Sequence, residues 1–142
     1  MTVQAYLNFK GNCKEVVEFY SEVFQTEKPR IMLFGDMPAD DGFPLTEETK
    51  NLVMHAEIKV KDSTIMFSDT PPDMPLTMGN NISLIYSSKD VDEIQSIYNK
   101  LKVDGNVVME LQETFWSKCY GFVIDKFGIG WQLSFQNEVS MN

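Results

Sequence analysis

Histidine is almost missing from this chain. His55 is the only one among 142 residues, so one copy of the chain cannot build a multi-histidine metal site. Cysteine is nearly as scarce: Cys13 and Cys119 are too few for a disulfide scaffold, and neither belongs to a CxxC pair. Basic residues are outnumbered, with 12 Lys and Arg against 21 Asp and Glu. The net charge of −9 repels phosphate backbones and anionic bilayers, which argues against nucleic-acid and membrane partners. It leaves room for a neutral or cationic small ligand. No apolar run is long enough to span a bilayer and no secretory leader is visible, so the expected setting is soluble and cytoplasmic.

What is present is a core. Hydrophobic residues make up 43% and aromatics 12%, which excludes disorder as the default state. The length is that of one domain, enough to bury about two-thirds of the unfolded surface without staples.

Two segments carry a helical period. In Asn12–Gln25 the apolar residues Cys13, Val16, Val17, Tyr20, Val23 and Phe24 share a face, with Asn12 as N-cap and Glu15 completing a capping box. In Asp90–Lys102 the residues Val91, Ile94, Ile97, Tyr98 and Leu101 do the same, with Asp90 and Glu93 in the capping roles. The caps are 78 residues apart, as are Tyr20 and Tyr98, and that shared offset points to an internal duplication. The alternating runs agree. Val3–Phe9 precedes the first helix and Pro29–Phe34, Leu52–Val60 and Thr64–Ser68 follow it. Ile82–Ser87 precedes the second, and Asn106–Leu111, Tyr120–Ile124 and Trp131–Gln136 follow. Each half therefore reads strand–helix–strand–strand–strand. The expected organisation is a single α+β domain over 1–142: module one at about 1–70, a Pro-rich linker at about 71–80, and module two at about 81–137. The polar stretch Gly35–Asn51 interrupts module one and is a candidate mobile lid.

Paired βαβββ modules resemble the vicinal oxygen chelate superfamily, which includes glyoxalase, bleomycin-resistance and dioxygenase proteins. The resemblance narrows to its PhnB-like branch through Tyr6-Leu7-Asn8-Phe9-Lys10-Gly11-Asn12, Phe19-Tyr20, Val23-Phe24, His55-Ala56-Glu57-Ile58 and Ile65-Met66-Phe67-Ser68-Asp69. The most specific runs are Glu113-Thr114-Phe115-Trp116 and the stretch from Tyr120 to Trp131. Ser117 departs from a usual Gly, and Gly130 from a frequent Pro. The resemblance implies two curved mixed sheets enclosing a cavity. In some members it also implies a divalent metal held by the first and last strand of each module. Those positions fall at about Ala5, Met66, Ser83 and Gln132, a set of weak or absent donors, so no metal and no other cofactor is expected.

Other residues could line such a cavity. His55, Glu57 and Lys59 alternate with apolar Ala56, Ile58 and Val60, so the polar set should face away from the helix. His55 is either a strand-end histidine bonded to structure or a polar anchor or general base. Glu57 is either an edge carboxylate or a second acid–base group, and Asp69 either a cavity carboxylate or the start of the turn into Thr70-Pro71. Phe115, Trp116 and Tyr120 offer rigid aromatic walls for a ligand, or for a subunit interface in a homodimer, with Gln132 as a polar contact. Trp131, Leu133 and Phe135 should form core. Cys119 lies near the aromatic group but shows no activating partner, and Cys13 falls on the buried helix face.

Three functions remain open. The first is a small organic molecule bound, or turned over without metal, in the half-barrel cavity. The second is sequestration of a cationic drug by an acidic dimer of the bleomycin-resistance type. The third, a metal-dependent lyase, isomerase or dioxygenase, is disfavoured by the donor set. Members of the PhnB-like branch are often described as demethylubiquinone methyltransferases. The glycines here form no cofactor-binding strand-to-helix turn, so the residues do not support that description.

Overall fold

The computed structural model describes residues 1–37 and 45–136. The chain divides into two compact units, Met1–Thr77 and Met78–Asn142. The first unit runs β1 (Ala5–Phe9), α1 (Cys13–Phe24), β2 (Arg30–Leu33), a 3₁₀ turn (Phe34–Asp36), β3 (Val53–Val60) and β4 (Ser63–Asp69). The second runs β5 (Ser83–Ser88), α2 (Val91–Leu101), β6 (Asn106–Gln112), β7 (Tyr120–Ile124) and β8 (Gly130–Phe135). Every expected strand and helix forms, within two residues of the sequence-based bounds.

Each unit holds one four-stranded mixed sheet, in the orders β1-β4-β3-β2 and β5-β8-β7-β6. The first strand of each unit pairs parallel with the last, and the remaining pairs are antiparallel. Alternation explains which face meets the helix. Ala56, Ile58, Ile65 and Phe67 are buried, and in the second unit Val123, Trp131 and Leu133 are. Against them pack the helical stripes Cys13, Val16, Val17, Tyr20 and Val23, and Ile94, Ile97, Tyr98 and Leu101. Phe135, expected with the core, is only half-buried.

Neither helix start uses the expected capping box. Asn12 occupies the N-cap position without bonding through its side chain. The first turn is held by buried Asp69, whose Oδ1 accepts from the amides of Gly11 and Cys13 at 2.8 and 3.1 Å. Its Oδ2 accepts from the amide of Val53 at 2.9 Å. A carboxylate with several acceptor sites satisfies three N–H donors, two of them in buried bonds, where an Asn amide oxygen would reach fewer. In α2, Asp90 does cap, accepting from the amides of Asp92 and Glu93. The Asp90 amide, however, donates to Ser88 Oγ, and Glu93 accepts from the Tyr86 hydroxyl instead.

The expected lid over 35–51 lies partly outside the described residues, at 38–44. Its described ends are tied down: the Phe34 amide donates to the Leu52 carbonyl, the Gly35 amide to the Lys50 carbonyl, and Thr46 and Thr49 bond each other. Among the described residues no helix is long and apolar enough to cross a membrane.

Candidate functional site

The duplication offset holds in the helices and slips in the strands. Strand pairing sets Tyr6 beside Met66 and Ile85 beside Gln132. Met66 and Gln132 are 66 apart as expected, but Tyr6 and Ile85 are 79 apart, not 78. The cause is a turn. Three residues, Lys10, Gly11 and Asn12, separate β1 from α1, whereas Lys89 and Asp90 alone separate β5 from α2. A one-residue shift in a strand moves a side chain to the opposite face. Ala5 therefore belongs with Leu7 and buried Phe9 on the helix side, and Tyr6 and Asn8 take the open face. The register that placed Ala5 beside Met66 is corrected by one residue.

With that correction the donor set still does not suit the divalent metal of the superfamily. Tyr6 offers a phenol and Met66 a soft thioether, while the expected Ser83, two residues before Ile85 on β5, offers a neutral hydroxyl and Ile85 itself nothing. Gln132 spends both ends of its amide, donating to Ser83 Oγ at 2.9 Å and accepting from the Tyr120 hydroxyl at 2.7 Å. Among the described residues no three of His, Cys, Asp and Glu gather closely enough to hold a metal ion.

The open face of the first sheet carries a connected polar chain. Tyr6 OH and His55 Nδ1 are 3.2 Å apart, with ring centroids at 5.7 Å. His55 Nε2 lies 3.5 Å from Glu57 Oε2, and Arg30 Nη1 lies 3.3 Å from Glu57 Oε1. The sheet dictates this. His55 and Glu57 are two apart on β3 and so share a face, and Arg30 on β2 pairs directly with Glu57. His55 and Glu57 keep about a third of their side chains exposed, 33% and 31%, so the chain of groups is open to a solute. Beside it the Ser68 hydroxyl donates to Asn8 Oδ1 at 3.1 Å. Sequence reasoning singled out His55 and Glu57 but missed Tyr6, Asn8 and Arg30. The apolar parity of Ala5, Leu7 and Phe9 was the available signal for Tyr6 and Asn8.

The second unit gathers the aromatic group. Phe115 and Trp116 meet edge to face at 4.7 Å, and Trp116 and Tyr120 at 5.4 Å. Phe115 is 98% exposed and Trp116 38%. Tyr120 is fixed by Gln132, which is fixed in turn by Ser83. Ser117 explains its own departure from Gly: its buried hydroxyl donates to the carbonyls of Cys119 and Phe135, stitching the aromatic loop to β8. Trp131 is core, its indole N–H donating to Asp125 Oδ2 at 3.0 Å.

The remaining candidates are structural. Asp69 is the lock on α1 described above. Cys13 is fully buried, and burial, reinforced by the Asp69 charge, pushes its thiol up to about 12. Burial also raises Cys119. Neither favours a thiolate. A shallow recess of about 380 Å³ along the C-terminal half of α1, lined by Glu18, Ser21, Glu22, Gln25, Thr26 and Pro29, contains none of the expected site residues.

Fold and sequence now converge. The chain belongs to the family described as 3-demethylubiquinone-9 3-methyltransferase, whose model matches residues 1–134, and so to the PhnB-like branch of the glyoxalase/bleomycin-resistance superfamily. It is similar to protein YjdN of Escherichia coli K12, at 31% identity over 94% of this chain and 95% of that one. Protein PA1353 from Pseudomonas aeruginosa is 28% identical, with a TM-score of 0.81 over 96% of this chain and 98% of that one. The PhnB protein from Bacillus cereus is 25% identical, with a TM-score of 0.74 over 96% and 100%. A glyoxylase/bleomycin resistance protein/dioxygenase domain from Frankia sp. shares the fold at 11% identity, with a TM-score of 0.66 over 96% and 98%.

Proposed function

We propose that this chain is a small-molecule-binding member of its family, which holds a flat neutral or cationic organic ligand against Trp116 and Tyr120 without a catalytic metal. The observation that carries this reading is the pairing of an exposed aromatic edge with a fixed polar group. Trp116 and Tyr120 meet edge to face at an interplanar angle of 71°, and Gln132 locks the Tyr120 hydroxyl in place. Rigid rings beside a few anchored polar atoms suit ligand recognition, and the −9 charge favours a ligand without negative charge. Phe115, almost wholly exposed, is the residue through which a second copy of the chain would cover this loop, and a homodimer is part of the reading.

The acidic balance also supports a second reading, capture of a cationic drug by an acidic dimer. Methyl transfer, named in the family's description, gains no support from the glycines. Gly128 lies in the β7–β8 turn and Gly130 opens β8, rather than forming a strand-to-helix loop that cradles a cofactor.

The test is a fluorescence screen of planar cationic and neutral compounds. Trp116→Phe is expected to weaken binding by about 1–3 kcal/mol and to remove the spectral response, because Trp131 is already buried. Binding that survives Trp116→Phe with the same affinity and spectrum would assign the loop to a subunit contact. Light scattering that gives a monomer at micromolar concentration would count against the dimer.

A further inference from the structure

We infer that the recess along the C-terminal half of α1 binds a small linear diamine, whose two ammonium groups sit against Glu18 and Glu22. The recess, about 380 Å³, shares no residue with the Tyr6–His55–Glu57 chain or with the aromatic loop. Binding there is independent of the Trp116 reading.

The helix itself gives the first reason. Glu18 and Glu22 are four residues apart on α1, so their side chains are neighbours, with Cβ atoms roughly 5–6 Å apart. Like charges at that spacing repel. Glu22 also stands in the last turn, where free carbonyls make the helix end negative and no basic residue offsets them. Among the described residues neither carboxylate has an ion-pair partner, and Lys14 and Lys28, the nearest cations in sequence, pair with neither. Two carboxylates thus hold positions that weaken the helix and gain no ion pair there. A dication seated between them removes both penalties.

The hydrogen bonds inside the recess set its polarity. Thr26 donates its only hydroxyl proton to the Glu27 carbonyl at 2.8 Å, so in the 2.7 Å contact between Ser21 and Thr26 the Ser21 hydroxyl is the donor. Gln25 directs an amide N–H to the Glu22 carbonyl at 2.7 Å. The backbone amides of Gln25 and Thr26 donate to the carbonyls of Glu22 and Ser21, and Pro29 has no amide proton to give. Left for a solute are two carboxylates and the lone pairs of Ser21 Oγ and Gln25 Oε1, against a single Gln25 N–H. Such an excess of acceptors selects a group that only donates, as an ammonium does and a carboxylate or phosphate cannot. A four-carbon spacer sets two ammonium groups about as far apart as side chains one helical turn apart. The recess has room for a chain of that size, and the net charge of −9 draws a dication toward the surface.

The experiment titrates ¹⁵N-labelled protein with 1,4-diaminobutane at low salt and follows the backbone amide shifts. Saturable shifts at Glu18–Thr26 are expected, with 1-aminobutane binding at least fivefold more weakly. Glu18→Gln/Glu22→Gln, in which Gln keeps the helix propensity of Glu, should weaken the diamine at least tenfold. Asp62→Asn/Asp73→Asn removes the same charge from two exposed turn residues and should keep the wild-type midpoint. No saturation, a midpoint unchanged in Glu18→Gln/Glu22→Gln, or an equal loss in Asp62→Asn/Asp73→Asn overturns the site. Shifts confined to residues 113–120 would put the diamine on the aromatic loop and overturn it as well. Thermal unfolding gives a second readout. Without diamine, Glu18→Gln/Glu22→Gln should melt at or above the wild-type temperature, because a repulsive pair is gone. Diamine should raise the wild-type Tm and leave that of the variant unmoved. A variant that melts below wild type would give the two glutamates a structural role and overturn the assignment.

Discussion

The first turn of α1 is held by Asp69, a carboxylate 56 residues away from Cys13 in sequence, whereas that of α2 is held by Asp90, two and three residues from the amides it serves. The long-range version also reaches the start of β3 through Val53, so one side chain joins the ends of three elements. The second unit spends its own buried carboxylate locally. Asp125 Oδ1 accepts from the amides of Phe127 and Ile129 across the β7–β8 turn, where Gly128 supplies a φ of 90° that suits glycine. Duplicated topology thus does not imply duplicated energetics: the same helix start can be tertiary in one half and local in the other.

The sharpest way to break this comparison is Asp69→Ala. Three amides, two of them in buried bonds, would lose their charged acceptor, and a cost on the order of 4 kcal/mol is expected from urea unfolding. A loss no larger than that of a surface cap would show that the amides find other partners.

Alkaline pH probes the same lock from its neighbour. The folded chain keeps the Cys13 thiol protonated up to about 12, against an ordinary value of 9.0. Between those values the unfolded chain binds fewer protons than the folded one, so stability falls as pH rises through that window. The expected loss is a few kcal/mol in wild type and is flattened in Cys13→Ala. Equal alkaline slopes for the two proteins would remove Cys13 as the cause.

The smallest effect is Asp90→Ala. Losing an exposed local cap should cost about 1 kcal/mol. A cost matching that of Asp69→Ala would erase the distinction between the two helix starts.

Most of the fold was legible because its signals are local. The periods of α1 and α2 and the alternation of β3 and β8 each depend on residues close in sequence. The role of Asp69 was not, since its partners Gly11 and Cys13 reach it only once β1 and β4 lie side by side. Glu93 kept the spacing of a capping box yet was drawn to Tyr86, a tertiary partner that spacing does not reveal. In the candidate site, His55 and Glu57 stood out through alternation on one strand, and the aromatic loop through its composition. Tyr6 was hidden by carrying the helical offset of 78 into a strand where the true offset is 79. Arg30 was hidden because β2 pairs with β3 across a long intervening segment.

The extra residue between β1 and α1 shows how this fold tolerates insertion. Placed in the turn at Lys10–Asn12, it leaves both neighbouring elements facing as they must, and Gly11, at a φ of 93°, absorbs the change of direction. The same single residue inserted three or four positions earlier, inside β1, would reverse every side chain upstream of it. Tyr6 would be driven under the helix and Ala5 brought out to the open face. Between two such halves, a gain or loss of one residue is silent or ruinous depending on whether it falls in a turn or in a pleat.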